Sequence, residues 1–328
     1  MNRVIQIDRH GGPEELKVVH AEVGNPGPGQ IRIRHKAIGL NFTDVYQRAG
    51  VHPVKFQLPM QLGMEGAGIV EAVGSGVEHL REGDRAAYAT HPPGSYCDAR
   101  VMDAQNVCRL PDSIPFDAAA AMMLKGLTAQ YLLKQCAPQG GLHAGDFVLF
   151  HAAAGGVGLI VCQWARLLGL QLIATAGTDE KCRLALENGA KHAINYTTES
   201  FADRVQEITG GLGVKVVYDA VGKDTLEGSL QSLQRFGLLV SFGSASGAPR
   251  PISIPELGGK SVYVTRQLVF SFLTSREATQ AMADDVFAVV GSGDVKIHIA
   301  QRYPLEDIAR AHRDLEARRT IGSSILTV

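Results

Sequence analysis

The chain has 328 residues, 45% of them hydrophobic, enough to bury a substantial core and, at about 150 residues per domain, to form roughly two domains. Lys and Arg (32) nearly balance Asp and Glu (33) and are scattered, so no basic face is seen that would attract a phosphate polymer, and nucleic-acid binding is not indicated. Five widely spaced cysteines without a CxxC pair point to buried, reduced thiols rather than a metal site or disulfide framework.

The opening "MNRVIQIDRHGGPEE" carries charges and no apolar core of a leader, and the most apolar stretch, 147–162, falls short of the ~18 residues of a membrane span, so a cytoplasmic protein is expected. From residue 1 to about 120 the pattern is strand and turn. "QIRIRHKAI" alternates Ile31 and Ile33 with Arg32 and Arg34, and Gly66, Gly68, Gly74, Gly76 and Gly83 punctuate short β-branched runs, as in a curved sheet or barrel. Past Pro115, "FDAAAAMMLKGLTAQYLLKQ" predicts a helix interrupted at Gly126 and a domain boundary at about 121–126.

Beyond it strands (147–151, 171–175, 192–195, 214–219, 238–242) alternate with helices (157–168, 179–188, 199–208, 224–234), which argues for a parallel sheet covered on both faces. "SVYVTRQLVF" (261–270) reads as a further strand. "REATQAMADDVFAVV" and "PLEDIARAHRDLEARR" read as helices and "SSILTV" as a last strand, and these elements, the strand 261–270 included, are expected to complete the first domain.

In "VLFHAAAGGVGLIVCQWARLLG" a strand runs through Ala153-Ala154-Gly155-Gly156-Val157-Gly158 into a helix, the context of a dinucleotide-binding turn. Ala153 stands where the first glycine is usual, which a tight turn tolerates if φ stays negative. Gly155, for close approach of a diphosphate, and Gly158, for helix-on-strand packing, are retained. The next strand should end at the adenosine ribose, where a protein built for NAD places a carboxylate. Here its tip is Thr175-Ala176-Gly177-Thr178, with Lys181 one helical turn later, which favours NADPH, although Asp179 and Glu180 lie beside it. A solvated lysine on a helix face remains the other reading of Lys181.

Together with that turn, "NF.D.Y.R.G" (41–50), "LGMEGAGIVEAVGSGV" (62–77), "LKGLTA" (124–129), "INY" (194–196) and "SFGSASG" (241–247) make the chain resemble, over essentially its whole length, the quinone oxidoreductases, ζ-crystallin-like members of the medium-chain dehydrogenase/reductase superfamily. The resemblance implies an α/β protein: a GroES-like β-rich catalytic domain from residues 1–123 and 266–328, and a Rossmann doubly wound parallel sheet that binds the nucleotide in 124–265, with nicotinamide and substrate in the cleft between. It implies a homodimer joined through "SVYVTRQLVF", whose apolar edge would otherwise be a hazard, an interior strand being the other reading of that stretch. By position, Gly155, Gly156 and Val157 resemble the diphosphate turn, Gly177 and Lys181 the 2′-phosphate pocket, and Tyr196 and Arg318 the residues enclosing that end. Phe242, Gly243 and Ser244 resemble the loop beside the nicotinamide, and Asn41, Tyr46, Tyr131 and Leu268 fall where the family lines the cleft. Lys125 and Thr128 lie in a matching stretch for which a structural role at the hinge is equally open.

Zinc alcohol dehydrogenases of the same superfamily carry a Cys and a Gly-His-Glu around a catalytic zinc; here Asn41 and Met64 occupy those positions, so no metal site is expected. Without a Lewis acid, alcohol oxidation is disfavoured, and hydride delivery from NADPH to an electron-poor quinone or enone is what remains. Asn41 and Tyr46 are the candidates for orienting nicotinamide or acceptor, an amide closing a turn and a packed aromatic being the alternative for each. His52 and His151 receive no role. Quinone reduction leads, enone or alkenal reduction is the rival within enzymes, and a non-catalytic nucleotide- or RNA-binding, crystallin-like role the rival outside them.

Overall fold

The strand Gln30–Leu40 is the spine of the β-rich part of the chain. Its alternation buries Ile31 and Ile33 on one side and leaves Arg32 and Arg34 on the other, where both pair with Glu71 of the neighbouring strand Glu65–Val73. In this computed structural model, which describes residues 1–328, that strand sits inside a seven-stranded sheet with Ile299–Pro304, Ser323–Thr327, Glu65–Val73, Arg85–Ala89, Val107–Arg109 and Ala99–Asp103. A smaller sheet joins Lys17–Ala21, Asn2–Ile7 and Met60–Gln61. Two apolar cores fill this unit, one around Ile5, Leu62 and Leu326, the other around Ile31, Val70 and Tyr88. The unit comprises Met1–Leu127, Phe272–Gly291 and Ile297–Val328, and the second Thr128–Ser271 with Ser292–Lys296.

The helix Phe116–Lys134 runs unbroken through Gly126, contrary to the interruption predicted there. A side chain at Gly126 would meet Val286 Cγ1 at 2.7 Å, so the glycine serves close packing rather than helix termination. Residues 119–133 are buried all round, which is why this helix shows no polar face in the sequence.

The second unit is a six-stranded, wholly parallel sheet in the order His192–Asn195, Gln171–Ala176, Phe147–Phe150, Val214–Asp219, Leu233–Ser241, Tyr263–Thr265. This is the doubly wound order, with the switch point beside Phe147–Phe150. Its crossover helices include Gly156–Leu167, Asp179–Glu187 capped by Thr178, and Phe201–Ile208 capped by Ser200. The strand expected over 261–270 shrinks to Tyr263–Thr265, followed by a 3-10 turn at Val269–Ser271. It is an edge strand paired only to Leu238, Leu239 and Val240, and the ladder stops where its partner turns away after Ser241. The helix expected over 224–234 is likewise shorter, Leu226–Ser232, because the strand after it begins at Leu233.

One residue of the glycine-rich turn carries backbone strain: Ala152, exposed, has φ +56°. A non-glycine residue pays about 1–2 kcal/mol there, partly offset by the extra unfolded-state entropy of glycine. Ala152→Gly is therefore expected to stabilise the protein by about 0.5–1 kcal/mol, read as a higher urea midpoint with an unchanged denaturant slope. A lower midpoint would mean that this turn is not strained.

Candidate active site

In the second unit the strand Phe147–Phe150 leads through residues 151–154 to Gly155, the N-cap of Gly156–Leu167, in extended conformation (φ −80°, ψ 175°). Ala153 N–H donates to the Thr175 carbonyl at 3.0 Å, pinning the turn to the adjacent strand, and the positive φ falls on Ala152, so alanine is accommodated at 153. The N–H groups of Gly156, Val157 and Gly158 occupy the first helical turn, where no intrahelical carbonyl exists for them and an anion is favoured. At Gly158 a Cβ would lie 2.4 Å from the Ala153 carbonyl oxygen, so helix and turn approach closely only because it is glycine.

Beneath this turn lies fully buried His151, which hydrogen-bonds Thr175 Oγ1 (2.8 Å) and Ser229 Oγ (3.0 Å). Ser229 and Thr225 hydroxyls donate to Asp219 Oδ2, whose other oxygen accepts from the N–H groups of Val221 and Gly222. The network ties together the ends of three neighbouring strands, a positioning role the sequence did not assign to His151. Burial holds its pKa below the ordinary histidine value.

The strand tip brings two predicted residues together: a Cβ on Gly177 would lie 2.7 Å from the Tyr196 hydroxyl oxygen. Lys181 stands in the first turn of Asp179–Glu187, its N–H donating to the Thr178 cap at 3.2 Å. Asp179 accepts from Asn195 Nδ2 at 2.7 Å, so this acid is engaged within the protein. Phe242 and Gly243 follow the strand Leu233–Ser241 and are held by the Asp219 carbonyl; a Cβ on Gly243 would meet the Ala220 carbonyl oxygen at 2.5 Å. Arg266, which no motif singled out, donates to Ser241 Oγ, the Gly243 carbonyl and Ser244 Oγ, each at 3.2 Å, and so shapes that loop. Tyr131 is buried, its hydroxyl directed to the Gln267 carbonyl (3.4 Å) beside half-buried Leu268, and burial raises its pKa.

In the first unit Asn41 caps the short helix Phe42–Arg48, and its N–H donates to Asp44 Oδ2 at 2.9 Å. The Asn41 amide Nδ2 donates to Glu65 Oε1 at 2.8 Å, the same oxygen that Lys125 Nζ reaches at 2.5 Å. Glu65 went unnoticed in the sequence, although it sits beside Met64 in "LGMEGAG". Tyr46 is half-buried on the same helix, its ring 5.7 Å from that of Phe42. Asp44 also accepts from Tyr96 OH, which contacts His312, and Arg48 links His312 to Glu316. Arg318 is exposed just past the helix Ile308–Glu316, at φ +57°.

The side chains at the positions where zinc relatives hold metal are a poor set for zinc. Met64 Sδ accepts from Gln47 Nε2 at 3.0 Å, Asn41 offers an amide hydrogen, and Glu65 is taken up by an ammonium. A thioether and a neutral amide bind zinc weakly, and a lysine ammonium bonded to the neighbouring carboxylate opposes a second cation.

Comparison with known proteins identifies this assembly of elements. The alcohol dehydrogenase GroES-like domain family matches residues 27–157 and the zinc-binding dehydrogenase family residues 156–293. A quinone oxidoreductase of Pseudomonas aeruginosa is 50% identical over 99% of both chains. The 2-haloacrylate reductase of a Burkholderia species is 42% identical over 98% of this chain and 97% of that protein. The structure of Escherichia coli quinone oxidoreductase complexed with NADPH superposes with a TM-score of 0.95 at 46% identity, covering all of both chains. A GroES-like unit, a doubly wound parallel sheet and half-identical quinone oxidoreductases matched from end to end together mean that the chain belongs to the quinone oxidoreductase family of the medium-chain dehydrogenases/reductases.

Proposed function

We infer that the protein is an enzyme that reduces quinones with NADPH and without a metal ion. The observation that carries the cofactor choice is the strand tip: Gly177 against Tyr196, Lys181 in the following helical turn, and no carboxylate at positions 175–178. Bound there, NADPH supplies the hydride. In the second unit the first-turn N–H groups of Gly156 and Val157, with Gly155 before them, would hold the diphosphate, and Lys181 and Tyr196 the 2′-phosphate end. In the same unit Phe242, Gly243, Ser244, Tyr131 and Leu268 would border the nicotinamide; in the first unit Asn41 and Tyr46 are the candidates for orienting nicotinamide or acceptor. An electron-poor quinone takes up hydride without a Lewis acid, which matches a donor set unsuited to zinc.

The test is NADPH oxidation with 1,4-benzoquinone and with a simple enone. The enone arm matters because a relative 42% identical is a 2-haloacrylate reductase, which favours activated C=C reduction as the second reading. Lys181→Ala is expected to weaken NADPH by about tenfold or more and NADH by less than about twofold, measured by fluorescence titration. Equal loss for both would remove Lys181 from the pocket.

Two further expectations belong to this reading. A homodimer would cover the open side of the edge strand Tyr263–Thr265, where Tyr263 is 50% exposed; sedimentation at a monomer mass would overturn it. Five buried free cysteines suit a reducing cytoplasm, and no helix is long and apolar enough to cross a membrane.

A further inference from the structure

Glu65 is fully buried, and three donors converge on its two oxygens. Oε1 accepts from Lys125 Nζ at 2.5 Å and Asn41 Nδ2 at 2.8 Å, and Oε2 accepts from the Leu124 N–H at 2.7 Å. Only an acceptor-only group satisfies all three, because an amide or a protonated carboxyl would turn a hydrogen toward one of them. Room for that group is built into the facing strand: a Cβ at Gly39 would lie 2.1 Å from Glu65 Oε1 and 2.3 Å from the Ala120 carbonyl oxygen. A buried ion pair is a poor means of stabilising a fold, since apolar residues of equal volume often do as well or better. The arrangement therefore calls for a purpose beyond stability, and one of its three donors is the side chain assigned to the acceptor.

We propose that Glu65, neutralised by Lys125, is a positioning residue that fixes the Asn41 carboxamide in one orientation, leaving its second amide hydrogen as a preset donor to the acceptor oxygen. The proposal rests on the reading of Asn41 as a residue of the acceptor or nicotinamide site. Reduction places negative charge on the acceptor oxygen, and a donor already aimed costs no reorganisation when that charge appears. An amide free to flip would present its own oxygen instead, which repels the charge. Lys125 keeps the cluster neutral, so that the Glu65 carboxylate does not oppose the same developing charge.

The test compares Glu65→Gln, Asn41→Ala and the double variant in the full chain, by thermal melting, NADPH titration and single-turnover NADPH oxidation with 1,4-benzoquinone. Glutamine keeps the volume but offers one acceptor oxygen to three donors. Glu65→Gln is expected to bind NADPH within about threefold of wild type while the rate at saturating NADPH falls about 30- to 100-fold. The double variant is expected to be no slower than Asn41→Ala alone, because Glu65 acts through Asn41. A folded Glu65→Gln enzyme with the wild-type rate overturns the proposal, as do losses that multiply in the double variant. Should Glu65→Gln fail to fold, Glu65→Gln/Lys125→Met removes both charges: wild-type melting with the rate still depressed supports positioning, and a wild-type rate overturns it. The Asn41 side-chain NH₂ resonances, assigned by their loss in Asn41→Ala, separate this proposal from the assigned activity. They are expected to shift in Glu65→Gln whether or not the wild-type protein reduces quinones, and unchanged resonances overturn the contact itself.

Discussion

Replacing Gly158 with valine is expected to destabilise the nucleotide-binding unit by about 3 kcal/mol and to lower NADPH affinity by about tenfold or more. The first β-carbon alone would lie 2.4 Å from the Ala153 carbonyl oxygen and 2.6 Å from its carbonyl carbon and Cα. These are backbone atoms held by the Ala153 N–H to Thr175 hydrogen bond, so no side chain can swing aside, and either the helix Gly156–Leu167 lifts or the turn opens. Both movements displace the first-turn N–H groups proposed to hold the diphosphate, which is why stability and affinity fall together. Valine also loses side-chain freedom in a helix, although it gains over glycine in backbone entropy. Calorimetry should show the melting temperature lower by roughly 6–12 °C. An unchanged melting temperature with unchanged affinity would mean that the turn yields freely and that close approach at 158 is unimportant.

Raising the pH from about 4 to 7 is expected to remove up to roughly 4 kcal/mol of stability that Asp44 supplies when protonated. Asp44 is fully buried, and that burial, with the Glu65 charge nearby, pushes its carboxyl up to about 7 against the lowering effect of hydrogen bonds from Tyr96 and Asn41. The folded state therefore holds this proton more tightly than the unfolded chain. Its contribution is complete below the unfolded value of 3.8 and disappears as pH rises through about 7. Buried His35 and His312 and half-buried His91 act with the opposite sign: desolvation depresses His35 and His91 to about 4 and His312 to about 3, so their share is complete above 6.5 and is lost as pH falls. The Asp44 effect is thus read as a difference. Relative to wild type, Asp44→Asn should gain stability steadily between about pH 4.5 and 7.5, by up to about 1.4 kcal/mol per unit, in urea denaturation. Parallel curves for the two proteins would show that Asp44 titrates as an ordinary exposed carboxylate.

Asp44 illustrates where sequence reasoning stopped. "NFTD" supplies a cap and an acidic residue three positions later, which is legible, but the groups that bury and tune the carboxylate, Tyr96 and Glu65, arrive from distant parts of the chain. The same holds for Arg266, whose contacts with Ser241, Gly243 and Ser244 depend on an edge strand ending after three residues rather than ten. Gly126 shows the converse: a local rule read it as a break, and packing against Val286 kept the helix whole.

By itself the sequence determined what contiguous residues encode: the strand–turn–helix of 147–167, the strand tip without an acid at 175–178, the alternation that makes a parallel sheet, and a family likeness spread over the chain. Each depends on short-range geometry, where the residue after a strand or before a helix has few conformations to choose from. Tertiary structure alone decided that Glu65 holds Asn41 and Lys125 on one oxygen, and that His151 joins Thr175 to Ser229 beneath the turn. Those partners lie 24 to 78 residues apart, and only the register of packed elements brings a donor within 3 Å of its acceptor.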